Sequence, residues 1–145
     1  MFSYQRKARY HETDQMGVVH HSNYVKWMEE SRTEFLESIG AGYAKIEAGG
    51  IVSPVVSLSV EYKNPVRFDE TVDISVYVKK YTGVELIFSY EFVSRDTGAL
   101  CTRAESRHCF LSDGRVASLR KKLPEYDRAM REYAAAQDKE KNNEE

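Results

Sequence analysis

Between positions 22 and 39 the chain shows helical periodicity on one side only, and that feature narrows the folds open to it. Tyr24, Met28, Phe35 and Ile39 recur at the spacing of one helical face, and Trp27 and Leu36 widen the stripe. Ser22 or Asn23 is expected to cap the start, and Gly40 to stop the helix. A helix of about four turns with one apolar side must lie on something. The runs that follow supply it. Val56, Leu58, Val60 and Tyr62 alternate with Ser57, Ser59 and Glu61, the period of a half-buried strand. Val72, Ile74, Val76 and Val78 form a second run, Leu86, Phe88, Tyr90 and Phe92 a third, and residues 99–111 a fourth. Turns at Thr82-Gly83 and Asp96-Thr97-Gly98 predict antiparallel neighbours. Residues 2–10 add a strand before the helix. The expected class is α+β, with one long helix against a curved five-stranded antiparallel sheet.

A chain of 145 residues is the size of one domain, expected here over 1–136. Pro124 suits the first turn of a second helix over 125–136, and the polar residues 137–145 are expected to fray or stay disordered. A net charge of −2 offers no global pull towards nucleic acid or anionic lipid. No apolar run approaches the ~20 residues that cross a bilayer, and Met1–Lys7 lacks the apolar core of a signal peptide. The expectation is a cytoplasmic protein without membrane insertion. Cys101 and Cys109, eight apart in one strand-like stretch, follow no zinc spacing and read as reduced thiols. One helix covers one face, so the other face and an open strand edge predict self-association.

The chemistry is concentrated in Tyr10-His11-Glu12-Thr13-Asp14-Gln15-Met16-Gly17-Val18-Val19-His20-His21-Ser22-Asn23-Tyr24. This stretch enters the helix N-terminus, where free amides and the helix dipole favour developing negative charge. Asp14 there would attack a carbonyl or deprotonate water, while amides near His21 polarise the carbonyl oxygen. The competing reading is structural: Asp three residues before Gly is common in turns, where it bonds its own backbone. His11, His20 and His21 suggest a metal, yet adjacent histidines cannot easily aim at one ion and no third ligand is well spaced, so no metal site is expected. None of the nucleotide-loop, nucleophile-elbow or zincin strings occurs. Glu29, and the pair Lys79-Lys80 at a strand end, read by default as solvated charges.

Asp14 to Tyr24, with Trp27 and Glu29, resembles the 4-hydroxybenzoyl-CoA thioesterase family of hotdog proteins. Arg32-Thr33-Glu34-Phe35-Leu36 resembles the bacterial short-chain acyl-CoA thioesterases of that family, including those linked to the Tol–Pal system, and Val60–Arg67 is similar to the family's second-strand exit. The resemblance implies a hotdog fold and hydrolysis of an acyl-CoA thioester, with coenzyme A as part of the substrate and no separate cofactor. It implies Asp14 as nucleophile or general base. It implies His21 as the residue whose N–H meets the carbonyl oxygen, with its imidazole assisting. Gly17, Tyr24 and Glu29 join the substrate site, and Ser53, Pro54 and Val55 match the stretch beside the acyl group and pantetheine arm. It also implies a homodimer or homotetramer with active sites at the subunit interface. One departure is that aromatic-CoA members carry basic residues just after the third strand, where this chain has Tyr81-Thr82-Gly83-Val84. The rival readings are a hotdog protein that binds acyl-CoA without turning it over, and a hydratase or dehydratase, for which no Asp/His string is present. Acyl length, and coenzyme A against acyl-carrier protein, are not readable from linear order.

Overall fold

A computed structural model describes residues 2–144. Its main sheet contains β1 (Phe2–Lys7), β2 (Val55–Tyr62), β3 (Thr71–Tyr81), β4 (Glu85–Ser94) and β5 (Leu100–Cys109), all antiparallel, in the order β1-β3-β4-β5-β2. The helix α1 (Ser22–Ser38) lies against it. The expected hotdog arrangement is what the chain adopts, and the short turns place β3, β4 and β5 side by side. The run directly after the helix behaves differently. β2 pairs with β5 rather than with its neighbour in sequence, and β1 takes the place beside β3. The chain between Asn64 and Glu70 is therefore a crossing and not a hairpin.

Alternation decides which side faces the helix. Val72, Ile74, Val76 and Val78 of β3, and Leu86, Phe88, Tyr90 and Phe92 of β4, are buried. Phe35 meets Phe88 edge-on at 5.5 Å, and Tyr24 meets Phe92 at 5.6 Å, so the apolar stripe of α1 is the one that packs. The opposite side carries ion pairs such as Arg107–Glu85 and Arg95–Asp73.

Several local expectations are corrected. The first strand stops at Lys7, and Tyr10–Glu12 form a 3-10 turn. His21, not Ser22 or Asn23, occupies the helix-cap position, and no side chain caps it. The Ser22 hydroxyl instead meets His20 Nδ1 at 2.8 Å, while the Asn23 amide donates to the Glu12 carbonyl at 2.9 Å. Short elements without a strong period went unread: α2 (Tyr43–Ala48), a two-stranded ribbon of β6 (Leu111–Ser112) and β7 (Arg115–Val116), and α3 (Leu119–Lys122). Finally, α4 (Pro124–Glu144) runs straight through position 136. Gln137 is buried, and its side-chain amide both accepts from Val78 N–H and donates to Val78 C=O, each at 3.0 Å. That double bond on β3 holds the stretch that composition marked as frayed; of that stretch, Glu145 lies outside the described residues.

Candidate active site

Residues 12–20 form a tight hairpin feeding α1. Thr13 and Val19 bridge antiparallel, Asp14 N–H donates to the Val18 carbonyl at 2.8 Å, and His20 N–H donates to the Glu12 carbonyl at 2.8 Å. Gly17 closes it with φ of 77°, a conformation that side chains other than glycine's rarely adopt. The hairpin is tied to the β2–β3 crossing, where Val19 N–H meets the Val66 carbonyl at 2.7 Å and Val18 bridges Arg67.

Within it, Asp14 Oδ1 accepts from Met16 N–H at 2.8 Å and Val18 N–H at 3.4 Å. This is the turn-building role that the structural reading anticipates. It occupies one oxygen only, and Oδ2 accepts no hydrogen bond among the described residues. The other arm ends at His21, whose carbonyl accepts the Tyr62 hydroxyl at 3.0 Å and whose N–H has no partner among the described residues. A half-free carboxylate and a free amide thus sit on the two arms of one hairpin, and β2 pins the second arm.

The hairpin's rigidity comes from a residue the sequence did not single out. The Glu12 carboxylate accepts both Arg6 Nη atoms (2.9 and 2.8 Å), Trp27 Nε1 (2.8 Å) and Arg9 N–H (2.8 Å). Burial by itself would raise its pKa, but the bonds from Trp27, Arg9 and Arg6 hold the group below the ordinary carboxylate value. One buried carboxylate therefore joins β1, the hairpin and α1. In the sequence Glu12 is one polar residue among many, and its partners lie 6 and 15 positions away.

The other candidates separate into two places. Tyr24 is turned into the core against Trp27, Tyr62 and Phe92, and burial followed by the nearby Cys101 pushes its phenol up to about 12. Glu29, Ser53, Pro54 and Val55 share a cleft of about 340 Å3 with Arg32 and Tyr43. Tyr62 meets His21 at one end and Val55 shares the cleft with Glu29 at the other, so β2 and α1 run antiparallel. Arg32 is buried there, its Nε donating to the Tyr43 hydroxyl at 3.2 Å while Nη1 has no partner among the described residues. Asp14 does not line that cleft. Among the described residues, no three of His, Cys, Asp and Glu come together as metal ligands would. No helix among them is long and apolar enough to cross a membrane.

A five-stranded sheet around one central helix, with a carboxylate hairpin opening that helix, defines a hotdog-fold protein. The profile of the thioesterase-like superfamily matches residues 8–130, and the chain belongs to that family. Among solved structures, a DHNA-CoA thioesterase from Staphylococcus aureus superposes with a TM-score of 0.88 and 30% identity, over 94% of this chain and 93% of that one. YneP of Bacillus subtilis is 37% identical over 102 residues, covering 70% of this chain and 73% of the relative. The acyl-CoA thioester hydrolase YbgC of Escherichia coli is 29% identical over 100 residues, covering 69% and 75%.

Proposed function

We propose that this chain hydrolyses acyl-CoA thioesters, with Asp14 as the catalytic carboxylate and the His21 N–H as the oxyanion donor. The observation that carries this reading is the pairing of a carboxylate oxygen and a backbone amide, both without protein partners, on the two arms of one anchored hairpin. Family membership narrows the chemistry to thioesters. The carbonyl oxygen accepts from the His21 amide as its charge grows, helped by the dipole of α1. Asp14 either takes a proton from attacking water or attacks the carbonyl itself. In both routes the C–S bond breaks and CoA departs as thiolate and is protonated; in the nucleophilic route water then cleaves the acyl–Asp14 anhydride, releasing the carboxylic acid and restoring the Asp14 carboxylate. A thioester is activated, so one carboxylate and one oxyanion donor suffice without a triad.

The acyl group then points towards the cleft of Glu29 and Ser53–Val55. Tyr24 acts by holding Tyr62, and so the His21 carbonyl, in place. No cofactor beyond the substrate's own coenzyme A enters, and the site is completed by a second copy in a homodimer or homotetramer acting in the cytoplasm. The Arg32–Leu36 motif, with Tyr81-Thr82-Gly83-Val84 where aromatic-CoA members carry basic residues, argues for a non-aromatic acyl group.

A panel of acyl-CoAs assayed for thiol release tests the activity. Asp14→Asn is expected to lower kcat at least roughly a hundredfold, the lower end of a general-base effect, with melting unchanged. His21→Ala is expected to cost far less, because the backbone amide survives the change. Equal turnover in Asp14→Asn would remove that residue from the chemistry.

A further inference from the structure

Beside the hairpin is an exposed aromatic pair that neither the core nor the proposed chemistry uses. Tyr10 is 77% exposed and Phe68 50% exposed, and their rings meet edge-to-face at 5.5 Å and 79°. Both hang from the segments that hold Asp14. Thr13 donates to the Tyr10 carbonyl from its N–H at 3.1 Å and from its hydroxyl at 2.7 Å, and Phe68 follows Arg67, which bridges Val18. The two rings line a cleft of about 480 Å3 with Arg6, Lys7 and Arg9. Lys7 is engaged with Asp69 at 2.9 Å, but Arg9 and Arg67 make no ion pair with any described residue. An edge-to-face pair leaves an open ring face; the unpaired Arg9 lines the same cleft, and the exposed Arg67 directly precedes Phe68, so both can supply phosphate donors.

The end of the sheet where related enzymes would carry their cations is a weaker candidate. Lys79 is paired with Glu105 and Lys80 with Glu85. Arg115, Lys121 and Lys122 line a cleft at that same end. It lies beyond the far end of the eleven-residue β3. A strand of that length spans roughly 33 Å, more than a pantetheine arm bridges.

We propose that Tyr10 and Phe68, with Arg9 and Arg67, bind the nucleotide end of coenzyme A, adenine on the open ring face and phosphates on the arginines. This rests on the acyl-CoA reading above and makes coenzyme A, rather than a carrier lacking the nucleotide, the preferred thiol. The test compares one acyl group carried on CoA and on pantetheine. Tyr10→Ala/Phe68→Ala is expected to raise KM for acyl-CoA about tenfold more than KM for acyl-pantetheine, the size of one lost base–aromatic stack. Arg9→Gln/Arg67→Gln is expected to act in the same direction and to flatten the salt dependence of KM. All four side chains are on the surface, so melting checks that the variants fold. Calorimetric titration of the native chain with CoA and with pantetheine separates the two ideas. If no thioester is cleaved yet CoA still binds at least tenfold more tightly than pantetheine, the hydrolase reading fails and the nucleotide site stands. Equal affinity for the two, equal KM changes on both carriers, or a smaller assembly in the aromatic double variant would overturn the site, the last by assigning the pair to a subunit contact.

Discussion

Glu12 shows how much one side chain decides here. Its carboxylate is 4% exposed and receives four donors from three parts of the chain, while its carbonyl receives two more. Replacing it with Gln keeps the shape but sets an NH2 against a ring of donors and strips Arg6 of its best partner. Breaking a buried ion pair on one side costs about 3 kcal/mol or more. Arg6 retains Glu30 at 3.0 Å, so the lower figure is expected in urea unfolding of Glu12→Gln. Trp27, the single tryptophan, donates its indole N–H to this carboxylate, and its emission is expected to shift in the same variant. Unchanged emission and unchanged stability would show that the network does not anchor the hairpin. Asp14 stood out as a candidate, because a carboxylate shortly before a helix start is a local pattern. Glu12 did not: nothing in linear order tells a solvated acid from one that Arg6 and Trp27 enclose.

At the level of elements, β2 carries the clearest mismatch between pattern and environment. It alternates like the other strands, and its register puts Leu58 opposite Ser106 and Val60 opposite Ala104, on the side facing the helix. Yet α1 does not reach far enough to cover it, and Val56 and Leu58 remain 54% and 43% exposed. The strand lies at the sheet edge, with one row of backbone donors and acceptors unpaired. An apolar open edge of eight residues invites a second copy. Leu58→Lys is expected to shift the chain from a multiple of 16.7 kDa to its monomer mass in sedimentation equilibrium. A native chain that already sediments as a monomer would sink the idea. The existence of β2 was legible from its period of two. Its place beside β5 was not, because periodicity says which residues share a face and nothing about which strand lies alongside.

For the whole molecule, the main energetic feature is a polar chain sealed inside the apolar core. Tyr90 meets Ser106 at 2.6 Å, Ser106 meets His108 Nε2 at 2.7 Å, and Nδ1 of that buried histidine has no partner among the described residues. Burial, and then the Arg32 charge, push His108 down from 6.5 to about 4. The unfolded chain therefore binds a proton between those limits that the folded chain refuses. Stability from this group is fully present above 6.5 and lost as pH falls towards 4. The loss is about 3 kcal/mol, and it levels off below that window. Thermal unfolding from pH 7 to pH 4 is expected to show this decline in the native chain and a shallower one in His108→Gln. Parallel curves would mean that another group carries the acid sensitivity.

Short-range regularities were enough to name the fold class. The 3.6-residue stripe of α1, the period-two runs and their Gly-containing turns each reflect backbone geometry within about ten residues, and such geometry is written in order along the chain. The turn from Asp14 to Gly17 is of the same kind, though the hairpin it closes is not. What required tertiary structure was everything set by groups far apart in sequence. Gln137 turned a polar tail into part of the fold through two bonds to Val78. Tyr62 reached back 41 positions to fix the His21 peptide, and Tyr10 came to face Phe68. Those pairings depend on the strand order and on the crossing that carries β2 to the far edge. That order is selected by how the assembled faces pack, a property that belongs to no single segment.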